Sequence, residues 1–199
     1  MVKLKRLTLP VMLTVGVMGA GSALAGGVDR AAILANTCAG CHGPDGVSTG
    51  PATPSIAGLP EEYFIDVMKM FQEGERRNTI MGRIAKGYTD EEIELMAKYF
   101  AKLPHRPAAQ KFDPVKAKYG KKLHEKYCEK CHEEGGRVAD SSGPLAGQWK
   151  PYLQFTLDDF INGHSEVDKK MKKKLSKLIR KEGMDGVRAV LEYYASEQK

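Results

Sequence analysis

No stretch of this chain alternates apolar and polar residues convincingly enough to read as a β-strand, and no Gly-x-Gly-x-x-Gly follows such a strand. The first absence predicts an all-α fold, and the two together exclude a dinucleotide-binding sheet within the chain. A long apolar run occurs only before residue 25, so no later segment is read as crossing a membrane. Charge of one sign is not in large excess: 31 basic residues stand against 25 acidic ones, and three of the basic ones precede that apolar run. Without them 28 basic residues remain against 25, a net charge of about +3, too mild to argue for nucleic acid as a partner. Cysteine is scarce as well, with four residues confined to two short motifs.

Lys3, Lys5 and Arg6 precede an uncharged stretch from Leu7 to about Leu24, which ends in Ala23-Leu24-Ala25. That is the small-x-small pattern read by a signal peptidase, so residues 1–25 are expected to be a cleaved export signal. Pro10 and several glycines interrupt a run that barely reaches spanning length, which argues against a retained anchor. The mature chain would begin at Gly26 with 174 residues, in a bacterial periplasm.

The cysteines lie in Cys38-Ala39-Gly40-Cys41-His42 and Cys128-Glu129-Lys130-Cys131-His132, ninety positions apart. Two thiols three residues apart can add to the two vinyl groups of one porphyrin, and the adjoining histidine then reaches the iron. Zinc knuckles and thiol redox sites also use Cys-x-x-Cys, but neither explains a histidine directly after the second cysteine, twice. The motifs therefore predict two covalent c-type haems, with His42 and His132 as proximal iron ligands. Covalent haem attachment takes place outside the cytoplasm, in keeping with export.

An internal repeat divides the mature chain. Ile56-Ala57-Gly58 matches Leu145-Ala146-Gly147, and Tyr63 matches Tyr152, both at an offset of 89. Leu103 to Gln110, rich in proline and polar residues, reads as a linker. The predicted modules are residues 26–107 and 108–199. Ala31, Ala32 and Ala35 read as a helix before the first motif, and Tyr63, Phe64, Val67, Met68 and Phe71 as a second helix. Thr89-Asp90-Glu91-Glu92 has capping-box form ahead of Ile93, Met96, Phe100 and Leu103. Further helices are expected around 115–127, 151–161, 169–181 and 186–197. Modules of 80–90 residues bury modest cores, so enclosed haem would supply much of the apolar interior.

The distal iron ligands are sought among methionines and the remaining histidines. Met81 lies in Thr79-Ile80-Met81-Gly82-Arg83, where a loop could present a thioether, and falls on Met171 at an offset of 90. Met171 also shares a helical stripe with Leu175, Leu178 and Ile179, and Met184 is its rival. His105, His124 and His164 read as surface or packing residues, although His164 in place of Met171 would make the second iron bis-histidine. The eight basic residues between Lys169 and Lys181 read as a solvated face, with docking to an acidic partner as the functional alternative.

The whole mature chain resembles the dihaem cytochrome subunit of flavocytochrome c sulfide dehydrogenase, and it looks like a relative of cytochrome c4. Cys38 to Gly43, Thr79 to Tyr88, Lys126 to His132 and Leu145-Ala146-Gly147-Gln148-Trp149 carry the resemblance. It implies two tandem class I cytochrome c domains, thioether links at Cys38, Cys41, Cys128 and Cys131, and axial ligation by His42, Met81, His132 and Met171. Pro54 resembles the proline whose carbonyl orients the proximal histidine. Pro144 sits one residue closer to its Leu-Ala-Gly, which puts the equivalent support for His132 in question and leads us to expect unequal haem potentials. By the same resemblance the chain has no catalytic residues of its own. An FAD-containing sulfide dehydrogenase flavoprotein subunit would deliver electrons, with the first module facing the flavin, and an external acceptor such as a small cytochrome would receive them. A free dihaem carrier of cytochrome c4 type and a haem enzyme with an open iron are the competing classes.

Overall fold

A computed structural model describes residues 29–138 and 142–198, so the expected export signal lies outside the described residues. Among the described residues the chain is helical, with no strand beyond an isolated bridge between Glu133 and Val138. Nor is any described helix long and apolar enough to cross a membrane.

The first half contains α1 (Arg30–Asn36), α2 (Ala39–His42), α3 (Glu61–Glu73), α4 (Met81–Ala85) and α5 (Asp90–Ala101). Short polar side chains start two of these helices, α1 and α5, by accepting N–H groups that have no partner within the helix. Asp29 accepts from Ala31 N at the start of α1. Thr89 forms the expected capping box with Glu92 at the start of α5. One core joins the helices through Ala35, Phe64, Met68, Ala85, Ile93, Met96, Ala97 and Phe100.

The second half contains α6 (Pro114–Tyr127), α7 (Lys150–Ile161) and α8 (Lys169–Ser196). Asp113 caps α6 by accepting from Val115 N and Lys116 N. The helices expected at 169–181 and 186–197 follow one another within α8, broken at Gly183, whose φ of 68° and ψ of −175° are not helical. Leu123, Tyr127, Leu153, Leu175, Leu178, Val187, Val190, Leu191, Tyr193 and Tyr194 make a separate core.

The repeat is legible bond for bond. Gly46 O accepts from Ile56 N and Ala57 N, and Gly136 O from Leu145 N and Ala146 N. Gly58 N donates to Phe100 O, and Gly147 N to Tyr194 O. Both glycines have positive φ, 75° and 74°. A Cβ would meet the linker backbone, His105 N at Gly58 and Pro107 Cα at Gly147. The segment read as a linker is therefore packed between the halves rather than a free tether, with Ala108 N bonded to Gly147 O.

Candidate haem attachment sites

The first motif occupies α2 and the turn before it. Cys38 lies half-buried against the first core and Cys41 is exposed. In the second motif Cys128 lies half-buried against the second core and Cys131 is exposed. All four cysteines are free thiols. Burial pushes the Cys38 thiol up and takes Cys128 to about 11, so neither has the thiolate character of a redox-active cysteine. Among the described residues no group of three or more His, Cys, Asp or Glu could hold a metal ion, which leaves the zinc alternative without a ligand set.

The proximal histidines are held differently. His42 Nδ1 lies 2.8 Å from Pro54 O; a carbonyl only accepts, so this nitrogen carries the proton and Nε2 keeps its lone pair. His132 Nδ1 lies 3.3 Å from Ser142 Oγ. Ser142 donates its own proton to Gly143 O, which leaves the hydroxyl lone pairs for His132. The support placed in question at Pro144 thus comes from a hydroxyl instead of a carbonyl. Burial lowers the pKa of both imidazoles, which keeps them neutral and able to ligate.

Met81 is not in a loop, as expected from its neighbours, but is the first residue of α4. Asn78 Oδ1 accepts from Gly82 N at 2.7 Å and fixes that turn. Met171 is the third residue of α8, where Asp168 Oδ1 accepts from Lys170 N at 2.8 Å and Met171 N at 3.3 Å. Asn78 and Asp168 are ninety positions apart, like the methionines. Each methionine therefore follows, by three residues, a side chain that caps its turn, a correspondence visible in the sequence once the halves are aligned. Met184 packs against the second core, as Met81 does against the first, but no capping side chain precedes it by three residues.

Further bonds bring the two sides of each site together. Thr37, before Cys38, bonds Tyr88 at 2.6 Å between the two hydroxyls. At the equivalent positions of the second half, Tyr127 donates to Glu182 at 2.7 Å. Gln72 Nε2 donates to Ala85 O and Tyr88 O, tying α3 to the last residue of α4 and to the segment after it. Around Met81, Ile80 and Ile84 remain 47% and 38% exposed, apolar surface of the kind a porphyrin covers. Free thiols in register, neutral imidazoles with Nδ1 engaged and exposed apolar side chains beside the methionine all fit covalent haem.

Sequence reasoning missed the residues that join the halves. Gln148 accepts from Ser55 N at 3.0 Å and donates to Ser55 O at 2.9 Å, with both residues buried. Ser55 follows Pro54, so the second half braces the segment that holds His42. Trp149 Nε1 donates to Ser48 O. Of the other histidines, His124 is buried between Tyr194 and Glu129, His105 donates to Ala146 O, and His164 pairs with Arg77.

A family model described as cytochrome c matches residues 29–104. The cytochrome subunit of sulfide dehydrogenase from Chlorobaculum tepidum is 51% identical over 74 residues, 37% of this chain and 66%, just under two thirds, of that relative. A cytochrome c4 from Thiocapsa roseopersicina is 32% identical over 157 residues, 73% of this chain and 76% of that one. The crystal structure of reduced cytochrome c4 from Pseudomonas stutzeri superposes with a TM-score of 0.72 at 24% identity, covering 84% of this chain and 98% of that one.

Proposed function

The chain belongs to the cytochrome c family, and from that premise we propose that it is the dihaem electron-transfer subunit of a periplasmic sulfide-oxidising flavocytochrome. It accepts electrons from an FAD-bearing flavoprotein subunit and passes them to an external acceptor such as a small cytochrome. The observation that carries this reading is the 51% identity to the cytochrome subunit of sulfide dehydrogenase, against 32% to a cytochrome c4.

In this reading residues 26–107 and 108–199 each hold one haem. Cys38 and Cys41, and Cys128 and Cys131, form the thioether links; His42 and Met81, and His132 and Met171, bind the irons. When bound, the haems supply one-electron chemistry that no side chain of the chain offers. Pro54 O and Ser142 Oγ orient the two imidazoles with Nε2 free for iron. Asn78 and Asp168 set the turns that carry the thioethers. With methionine on both irons no position is left for substrate, so the chain alone is not an enzyme.

The longer match to cytochrome c4 favours a second reading, a free dihaem carrier. Purification from a sulfide-oxidising host separates the two. The first expects a stable flavoprotein partner and haem reduction by sulfide only in its presence; a chain that purifies alone and is not reduced by sulfide with any flavoprotein fraction is a free carrier.

A further inference from the structure

Met81 and Met171 hold the same place in the repeat, yet the chain around them differs. Beside Met81, Ile80 and Ile84 are exposed, and Arg83 and Lys86 are the only charged residues from Thr79 to Tyr88. Met171 lies within a run, Lys169 to Lys181, that holds eight basic residues and no acidic one. The methionines match at an offset of 90 but Tyr99 and Tyr193 at 94, so the second half gains four residues over this stretch. Of the 28 basic residues after position 25 the run takes eight; the other 20 stand against 25 acidic ones. The rest of the chain is therefore net negative, and the positive charge is local.

Such a run is unfavourable for a helix. Like charges three and four positions apart repel, and cations in a first turn oppose the helix dipole. Lys170, Lys174, Lys177 and Lys181 stand four, three and four positions apart, on one stripe of α8. The nearby carboxylates are engaged elsewhere. Asp159 pairs with Arg77, Glu182 with Lys126 and Asp185 with Arg188, while Asp168 accepts from backbone N–H groups of α8. Among the described residues no carboxylate pairs with any of the eight cations. A face that serves solubility alone mixes both signs, which would relieve the repulsion.

The stripe also leads to the second motif. Seven of the eight basic side chains are exposed, and Lys174 is half-buried. Burial raises the Cys128 thiol, and the Tyr194 hydroxyl and the Lys174 ammonium oppose that rise, so this ammonium lies near Cys128. The position of Lys174 is held in the first half by Ile84. Between α7 and α8 a groove of about 260 Å³ is lined by Phe160, Ile161, Leu175 and Ile179 and by the cations Lys172 and Arg180.

We propose that this face of α8 docks a soluble one-electron acceptor whose own redox centre is surrounded by carboxylates, which makes the second haem the exit of the relay. The proposal rests on the reading of the chain as a dihaem electron-transfer subunit. Opposite charge steers the acceptor to the face, and the apolar side chains in the groove complete a small, short-lived contact. In each encounter one electron passes from ferrous haem iron, which becomes ferric, to the oxidised centre of the acceptor, which is reduced. The apolar surface beside Met81 is left for a lasting subunit contact, since permanent interfaces are the more apolar ones.

The test uses the holo-protein with both haems attached, reduced chemically so that no flavoprotein is needed. Stopped-flow oxidation is followed at low and high salt with an acidic and a basic blue-copper protein as acceptors. Wild type should be oxidised faster by the acidic one, at a rate that falls steeply with salt. Lys177→Glu/Lys181→Glu should slow that reaction about tenfold at low salt and flatten its salt dependence. The same charge change on α6, Lys118→Glu/Lys122→Glu, should cost far less. Binding of the oxidised acidic protein to immobilised oxidised holo-protein, where no electron moves, should weaken in parallel with the rate. An unchanged rate in the α8 variant overturns the proposal, and so do equal losses in the two variants, which assign the effect to net charge. Slower reduction by sulfide and flavoprotein in the α8 variant, with oxidation unchanged, makes the face an entry side and overturns it. Wild-type binding to phosphatidylglycerol vesicles that the α8 variant loses, again with oxidation unchanged, assigns the face to a membrane and overturns it. If the charge-reversed protein does not accumulate, Lys177→Gln/Lys181→Gln carries the test, with a smaller loss of the same sign expected and an unchanged rate overturning it. Absence of covalent haem from wild type overturns the reading beneath instead.

Discussion

At the scale of single residues, the chemistry of a site is set by what its nearest atoms can accept. Pro54 O is a strong acceptor for His42 Nδ1–H, whereas Ser142 Oγ, 3.3 Å from His132, is a weaker one. A more basic imidazole favours the ferric iron, so the potential at His132 is expected to lie above that at His42. Ser142→Ala should raise the higher potential further and leave the lower in place, as read by redox titration. Met171→Leu should abolish the near-infrared methionine-to-iron band of one haem and open that reduced iron to carbon monoxide at neutral pH; Met184→Leu and His164→Ala should do neither. His105 adds a pH dependence of stability. Burial lowers its pKa below the ordinary 6.5, so the unfolded chain binds more protons in the window beneath that value. Its stabilising contribution is complete above about pH 6.5 and is lost as pH falls toward the depressed folded value. His105→Asn should melt with a smaller difference between pH 7.5 and pH 5.5 than wild type.

At the scale of elements, sequence pattern and structure agree where the signal is local. The capping box at Thr89 is legible because Thr89 and Glu92 satisfy each other's backbone across three residues. Thr89→Ala should cost about 1 kcal/mol in denaturant unfolding without moving either potential. The α5 stripe of Ile93, Met96 and Phe100 is buried as its 3.6 period predicts. Met81 was expected in a loop because Ile-Met-Gly has no helical period of its own. The short α4 is held from outside, by Asn78 at its start and by Gln72 reaching over from α3. Five residues cannot sustain a helix alone, so no local pattern announces one. In α8 the basic residues lie largely on the exposed side of a helix whose Leu175 and Leu178 face the core, an exposure that a solvated face and a docking face share.

At the scale of the molecule, the joint between the halves is polar and specific. Gln148 satisfies both backbone groups of buried Ser55. Gln148→Leu leaves them unpaired, at a cost of about 1–3 kcal/mol for each group. Because Ser55 follows Pro54, the same change should shift the potential of the His42 haem more than that of the His132 haem. The two cores are small, and apolar side chains beside Met81 stay exposed. Protein made without haem attachment should therefore lack a near-UV circular dichroism signal and melt without cooperativity. A cooperative melt of that form would show the cores to be sufficient alone.

The sequence by itself determined what depends on neighbours along the chain: helix periods, the caps, the two Cys-x-x-Cys-His motifs and the repeat that aligns Met81 with Met171. These are properties of residues a few positions apart, or of two copies of one pattern. Only the tertiary structure decided what depends on residues distant in sequence. It placed Ser142 behind His132, Gln148 on Ser55 and Arg76 between Tyr63 and Tyr152. Each of the three is a residue in which the halves differ or meet, so comparing one half with the other could not reveal it. A buried polar group takes the partner that folding brings to it, and that partner carries no mark in the local sequence.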